Sequence, residues 1–492
     1  MMKKTICLCA VASLLLLSTG CDSFLDEQPR GYAIPETTDA YNGMFNTIQF
    51  MNINMEDYTL WLNDDIQLNN ECIDGLADAF GYSSFDPESI LPAFRYERDI
   101  YKPTANCNAW EQCYKNVYTF NVIANGVMSS TGGTQAEKEA LRAEARMSRA
   151  WMHFILAQMF ARPWNPDIAD TELTIPIVTE ANTNVSSFER ATMRELYDFI
   201  TTEMEESCPL LEDRPDHNMR VYMTTGYGLL GKMYWMMGEY EKALAPLRTA
   251  YERSKNETNF HLLDFNALMA KYNYRELTAD ELSSEQMALG DYLLLYTYAD
   301  PEILWVKQNP CFSNYRFWSY GLVTYYLKPE AYALFDDHDL RRNLIPTKYP
   351  SGEPTPYPVG CIRDGISPNY GVSLPEIYLA LAECEARVGS EDNARQILTE
   401  FRSKRVRTGY EDVPATVQTR DDLVRFCWDE QRREFMGRMQ RYYNLRRLWS
   451  DPLFQQEKPI THNDGTSTYT LEEDNLYLVL PEGVLKWNEN WR

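Results

Sequence analysis

The sequence predicts a mainly α-helical fold, with helical pairs stacked into a right-handed solenoid scaffold. That scaffold packs against an irregular, loop-rich half carrying a few short strands. Three observations predict this. Residues 224–254 read as two helices broken at Gly238. Tyr227, Leu230, Gly231 and Tyr234 keep helical spacing in the first, and Tyr240, Ala243, Leu247 and Ala250 in the second. Residues 374–405 repeat that spacing with Tyr378, Leu381, Ala382, Gly389, Ala394, Leu398 and Phe401. Between 259 and 373 the helical period breaks up, and Gly, Pro and aromatic residues crowd in.

In the first pair, Gly231 and Ala243 are small where one helix must cross the other, and large neighbours fill the remaining space. That alternation is the pattern of the tetratricopeptide repeat, a helix–turn–helix unit of about 34 residues. Glu385 departs from it, standing where the first pair has Tyr234. Such a pair cannot bury its apolar faces alone, so each predicts a stacked neighbour.

The elements follow in order. Lys3, Lys4 and the apolar run 6–17 form a secretion signal too short to remain as a spanning helix. It ends in Leu17-Ser18-Thr19-Gly20-Cys21, which resembles the bacterial lipoprotein box, so residues 1–20 are expected to leave and Cys21 to carry lipid. Residues 21–35 then form a lipidated leash. Its acidic stretch, 22–27, is similar to those that accompany export to the outer face of the cell in Bacteroidetes lipoproteins. A first helix follows Pro35, with Tyr41, Phe45 and Ile48 on one face. Residues 52–102 read as loops and short helices. Helices are expected over 108–128, 135–160 and 193–211, with an extended crossing at 174–178. Strands are expected at 292–296, 302–306 and 476–480, a short helix at 328–335, and a long helical region at 419–449.

The formal net charge is −25, rising to −27 once Lys3 and Lys4 leave. Nucleic acid is excluded, because its phosphates need a basic surface, and so is docking on anionic lipid by charge. Once Cys7 and Cys9 leave and Cys21 takes lipid, eight cysteines remain, scattered and without a CxxC pair, as buried thiols. No cofactor and no metal site is expected. His153, His217, His261, His338 and His462 form no HExxH or other spaced motif, and neither GxSxG nor a phosphate loop occurs. His153, on an apolar helix, reads as a core residue. Asp336, Asp337 and Asp339 read as a solvated helix end paired with Arg341 and Arg342. Asp64 and Asp65 are adjacent, and neighbours in a strand point to opposite faces, which argues against a glycosidase pair. The charges from Glu430 to Arg447 suit structural ion pairs with carboxylates such as Glu376 or Glu383.

Binding suits the residues better than catalysis. A sugar ring offers an apolar face, which Trp or Tyr covers, and a rim of hydroxyls, which Asn, Asp or Arg satisfies. Two irregular stretches have that mixture. The first supplies Trp61, Asn63, Asp65, Tyr82 and Tyr96; the second supplies Tyr315, Arg316, Trp318 and Tyr320.

The ordered set of segments resembles the SusD/RagB family of surface lipoproteins over nearly the whole mature chain. The set comprises FLDEQP after the lipobox, WEQCYKNVYTFNVIAN at 110–125, AEARMSRAWMHFILAQMF at 143–160, IPIV at 175–178, EILW at 302–305, LFDDHDLRR at 334–342, LPEIYLALAECEA at 374–386 and EQRREFMGRMQRYYNLRRLW at 430–449. Ala161-Arg162 and Met436-Gly437-Arg438 depart from the family pattern. The resemblance implies one domain over 36–492, with helical pairs within 108–255 and 374–449 and ligand-side regions at 52–102 and 259–373. It also implies a non-catalytic lipoprotein of the outer membrane that faces outward. The protein would hold oligosaccharide, or in the RagB branch peptide, for a SusC-like TonB-dependent transporter. A surface glycosidase is the remaining alternative.

Overall fold

Helix boundaries come first from capping. Thr134, Thr192 and Thr419 each accept a hydrogen bond from the backbone three residues on, and Glu137, Glu195 and Asp422 return one to the cap. Each such box satisfies two of the donors that a helix start leaves unpaired. The structure, a computed structural model, describes residues 35–491 apart from 54, 56–57, 73–86, 103–106, 186, 214–216, 279, 283–299, 310–322, 324 and 360–368. The signal, Cys21, the leash and the strand expected at 292–296 lie outside the described residues.

The longer helices are α1 Thr38–Phe45, α2 Pro87–Phe94, α3 Asn108–Gly126, α4 Gln135–Phe160, α5 Met193–Ser207, α6 Met223–Met236, α7 Tyr240–Ser254, α8 Leu374–Val388, α9 Glu391–Arg402, α10 Arg420–Glu434 and α11 Met439–Leu448. The protein is mainly helical. Helices adjacent in sequence pack together: α3 on α4, α4 on α5, α6 on α7, α8 on α9. The pairs also meet one another, α7 packing on α8 and α8 on α10. Gly231 lies where α6 crosses α7: a Cβ there would fall 2.5 Å from Leu247 Cγ and 3.0 Å from the Leu247 nitrogen. Gly238 turns the chain with φ +75°, a conformation open to glycine at little cost. The departure at Glu385 has a physical reason. Its carboxylate accepts from Arg248 of α7 at 2.6 and 2.9 Å and from the Ser390 nitrogen at 3.0 Å, which ties one helical pair to the next.

The long region expected at 419–449 is two helices, α10 and α11, divided at Gly437 with φ +70°. Strands are few. β1 Ile66–Gln67 pairs with β3 Tyr326–Leu327, β2 Ile303–Trp305 with β4 Val372–Ser373, and β5 Thr461–Asn463 with β6 Thr468–Thr470, all antiparallel. Residues 476–480 are not a strand. Their amides bond to single carbonyls on separate segments, Leu478 to Met159 and Val479 to Arg98, so no ladder can form. The 174–178 crossing is held by side chains: Tyr114 donates to the Pro176 carbonyl at 2.8 Å and Asn121 to that of Val178 at 3.0 Å. His153 is fully buried there, its Nε2 accepting from the Val178 nitrogen, and burial pushes its pKa down to about 4. One apolar core runs from Tyr41 to Val484 and includes faces of both helical pairs.

The charged cluster on α10 and α11 is built into this core. Arg341, Arg402, Arg405 and Arg433 meet Asp339, Glu302, Glu430 and Glu434, with closest approaches of 2.5–3.0 Å. Four positive and four negative groups balance, which is what allows them to be buried. Burial alone would raise the Glu434 carboxyl, but Arg405 and Arg341 hold it down at about 2. Glu383 is a second centre. Its two oxygens take Arg447 at 2.9 Å each, Arg387 at 2.8 Å, and the indoles of Trp235 and Trp428. Glu376, the other expected partner, pairs with Lys232 of α6 instead, at 2.7 Å. Asp339 and Arg341 are not solvated as expected: they are 3 % and 1 % exposed, Arg341 drawn in by Glu430 and Glu434 and Asp339 held by Arg341 at 2.6 Å. Asp337 and Arg342 do pair near the surface.

Candidate ligand-binding site

The first group of expected ligand residues is inside the protein. Trp61, Asn63 and Asp65 have no exposed surface and Tyr96 has 2 %. The cause is the pair of carboxylates at the end of the Tyr58–Leu62 turn. Asp64 takes Arg441 of α11 at 2.6 and 2.9 Å, and Asp65 takes Arg432 of α10 at 2.7 and 3.1 Å. Two adjacent charges thus pull the turn onto the helices. Asn63 adds a bond to the Arg438 carbonyl at 2.6 Å, and the Trp61 ring meets Tyr325 edge to face at 5.8 Å. Tyr96, held at φ +61°, stacks on His462 at 4.4 Å, while Phe94 covers the other face at 4.1 Å. Burial and the nearby Lys328 push His462 down to about 3, although its ring nitrogens face the Phe94 and Asn63 carbonyls. Trp61, Asn63, Asp65 and Tyr96 therefore join the irregular half to the helices and do not line an open cleft. Asp64 and Asp65, each bound to its own guanidinium, fit no shared catalytic site. Tyr82, Tyr315, Arg316, Trp318 and Tyr320 lie outside the described residues.

Other residues of the irregular half reach its surface. β1 and β3 bring Gln67 opposite Tyr326, and Tyr326 also bridges to Val359. Around that crossing, the Tyr326 hydroxyl donates to Glu71 Oε2 at 2.7 Å. The Tyr349 hydroxyl lies 2.7 and 2.8 Å from the two Glu71 oxygens and 3.1 Å from that of Tyr326. Burial first, and the Glu71 carboxylate with it, raises the pKa of both phenols, so both keep their protons to donate. Tyr357 stands beside them, its ring 5.9 Å from Tyr326 at 62° and 39 % exposed. Sequence reasoning missed all four. Glu71 is 255 residues from Tyr326 and 278 from Tyr349, so no local pattern announces the cluster. The one available signal was Tyr357 itself, set between Pro356 and Pro358.

Two crevices open between the helices and share Glu376, Phe435 and Gln440. One is apolar, about 360 Å³, walled by Trp235, Leu379 and Tyr443; the other, about 370 Å³, is lined by Asp300, Asn369 and Arg438. A polar cavity of about 630 Å³ lies beside α1 and α4, with Arg220 and Glu144 paired in its wall. Arg220 binds Glu144 at 2.6–2.9 Å and Asn42 at 2.9 Å, and lies over the Phe45 ring. Among the described residues no group of three His, Cys, Asp or Glu is placed to hold a metal ion, and no helix is long and apolar enough to cross a membrane.

Comparison with known proteins adds two family matches. Residues 89–235 match a model described as starch-binding, associating with outer membrane, and residues 373–479 match the SusD family, together just over half of the chain. No curated protein matches. Among solved structures, a putative sugar binding protein from Bacteroides vulgatus ATCC 8482 is similar at 17% identity and TM-score 0.64, over 93% of this chain and 98% of that one. A SusD superfamily protein from Bacteroides thetaiotaomicron VPI-5482 is similar at 15% identity and TM-score 0.63, over 92% and 98%. A laminarin binding SusD-like protein follows at 17% identity and TM-score 0.60, over 92% and 98%. At these identities the likeness is one of fold.

Proposed function

Since the chain belongs to the SusD/RagB family, whose members bind carbohydrate at the outer membrane, we propose that it captures oligosaccharide at the cell surface and passes it to a SusC-like TonB-dependent transporter without cleaving it. Lipid on Cys21 anchors it, with the protein facing outward, and residues 36–492 act as one ligand-holding unit. Tyr82, Tyr315, Arg316, Trp318 and Tyr320 contact the ligand in this reading. The observation that carries it is the pair of family matches, one in each helical region. The pairing of Asp64 and Asp65 with separate arginines supports a non-catalytic role.

Native gels cast with single polysaccharides provide the test. The protein purified in detergent should migrate more slowly in at least one, and the bound glycan should be recovered at its original length. Peptide mixtures that compete where glycans do not would move the reading to peptide capture on the same fold. Shortened products would make the protein a glycosidase. No retardation and no binding heat across a broad glycan panel would overturn the proposal.

A further inference from the structure

Glu71, Tyr326, Tyr349 and Tyr357 are assembled from four separate parts of the irregular half. Mutual support accounts for three of them: the two phenols donate to the carboxylate and fix it. It does not account for Tyr357. That ring sits between two prolines, which stiffen the loop on both sides, and it meets the Tyr326 ring at a steep angle with 5.9 Å between centroids. A large ring held rigidly with over a third of its surface in water gains little for the fold. It is, however, prepared for a ligand, because its freedom has already been given up.

The chemistry beside the ring is that of an acceptor. A carboxylate has about four lone-pair sites, and two phenol protons leave about two of them open. A sugar with neighbouring hydroxyls can donate to that carboxylate while its C–H face covers a tyrosine ring. We propose that Glu71, Tyr349 and Tyr357 form a subsite for an uncharged pyranose ring. Tyr357 covers the face of the sugar, Glu71 accepts from its hydroxyls, and Tyr349 holds the Glu71 carboxylate in place by donating to it. A uronate or sulfated sugar would bring a second negative charge to Glu71 in a chain already at −25, so the subsite selects neutral glycans over acidic ones. This rests on the glycan-binding reading and narrows it to a class.

Titration calorimetry on the full-length protein in detergent tests both. The neutral probes are laminarin, maltoheptaose, xyloglucan and mannan; the acidic probes are polygalacturonate and alginate. At least one neutral probe should bind, at least tenfold more tightly than either acidic one. Tyr357→Ala, at an exposed position, should weaken that neutral glycan tenfold or more with an unchanged melting temperature. Glu71→Gln removes the charge and should narrow the gap between neutral and acidic probes, a change that a purely structural carboxylate would not produce. A neutral glycan bound by Tyr357→Ala within twofold of the unaltered protein would overturn the subsite and leave glycan capture standing. So would a preference of the unaltered protein for the acidic probes. Binding of no probe at all would overturn both.

Discussion

The helical pairs and the irregular half are held by different means. In the pairs, helices adjacent in sequence pack on one another through apolar faces, as Gly231 does against Leu247. In the irregular half, the bonds that matter join distant residues: Asp65 to Arg432 across 367 positions, Asp64 to Arg441 across 377, and His462 to Asn63 across 399. The first arrangement spreads stability over many small contacts. The second concentrates it in a few charges that must stay paired, because a buried charge without its partner costs far more than the pair contributes.

The sharpest way to break this contrast is Glu430→Ala. Glu430 of α10 has no exposed surface and joins the two regions, meeting Arg341 of the irregular half at 2.5 Å and Arg402 and Arg433 of the helices at 2.8 Å. Its removal strands positive charge in the core and should cost about 3–5 kcal/mol in urea unfolding. Leu247→Ala is the matching change in the helical array, where the glycine opposite cannot fill the space left behind. It should cost about 2–5 kcal/mol, toward the lower end if α6 and α7 settle together. A loss from Leu247→Ala clearly larger than that from Glu430→Ala would mean that apolar packing, not charge, governs the junction of the two regions as well as the helical array.

The same contrast explains what could be read from the sequence. The helices α3 to α11 were legible because their spacing repeats every three to four residues; their expected limits shift where Gly437 divides the run 419–449 and where 193–211 ends at Ser207, ahead of Pro209. Glu383 was legible as a partner for the α10–α11 charges because a charged excess on buried helices demands matching carboxylates. Trp61, Asn63, Asp65 and Tyr96 look like a sugar site in sequence, because rings and polar groups in a loop have the same composition whether they face water or a core. The outcome was decided by Arg432 and Arg441, more than 360 positions away, and no local rule shows that. Glu71 and Tyr349, 278 positions apart, were illegible for the same reason, and Tyr357 between its two prolines was the one signal open to view.

Acid should act on both regions, with a sign that can be worked out. His153 in the helical layer and His462 in the irregular half are depressed to about 4 and about 3, below the value of about 6.5 expected unfolded. The unfolded chain therefore binds more protons as pH falls below about 6.5, and stability must drop with it. Glu434, held at about 2, adds the same trend below about 4.5, its contribution lost as pH falls toward its folded value. Each group adds at most about 1.4 kcal/mol per pH unit. Urea unfolding at a series of pH values should show a decline from pH 7 to 5 that His153→Gln or His462→Gln makes shallower. A flat profile over that range would mean that neither imidazole is held neutral.

The smallest effect should come from a device belonging wholly to one helix. Thr192 accepts from the Glu195 nitrogen at 3.2 Å, and Glu195 returns a bond to the Thr192 nitrogen at 2.8 Å, closing the start of α5. Thr192→Ala removes one half of that exchange, and the freed amide lies near solvent, where water replaces the lost partner. The cost should be about 1 kcal/mol, within the range of single caps. Because α5 contributes no residue to the Glu71 cluster, glycan affinity should stay within twofold of the unaltered protein. A loss near that of Leu247→Ala would show that the array depends on its helix ends as much as on its packed faces. The division drawn between distributed and concentrated stability would then have to be placed at the caps.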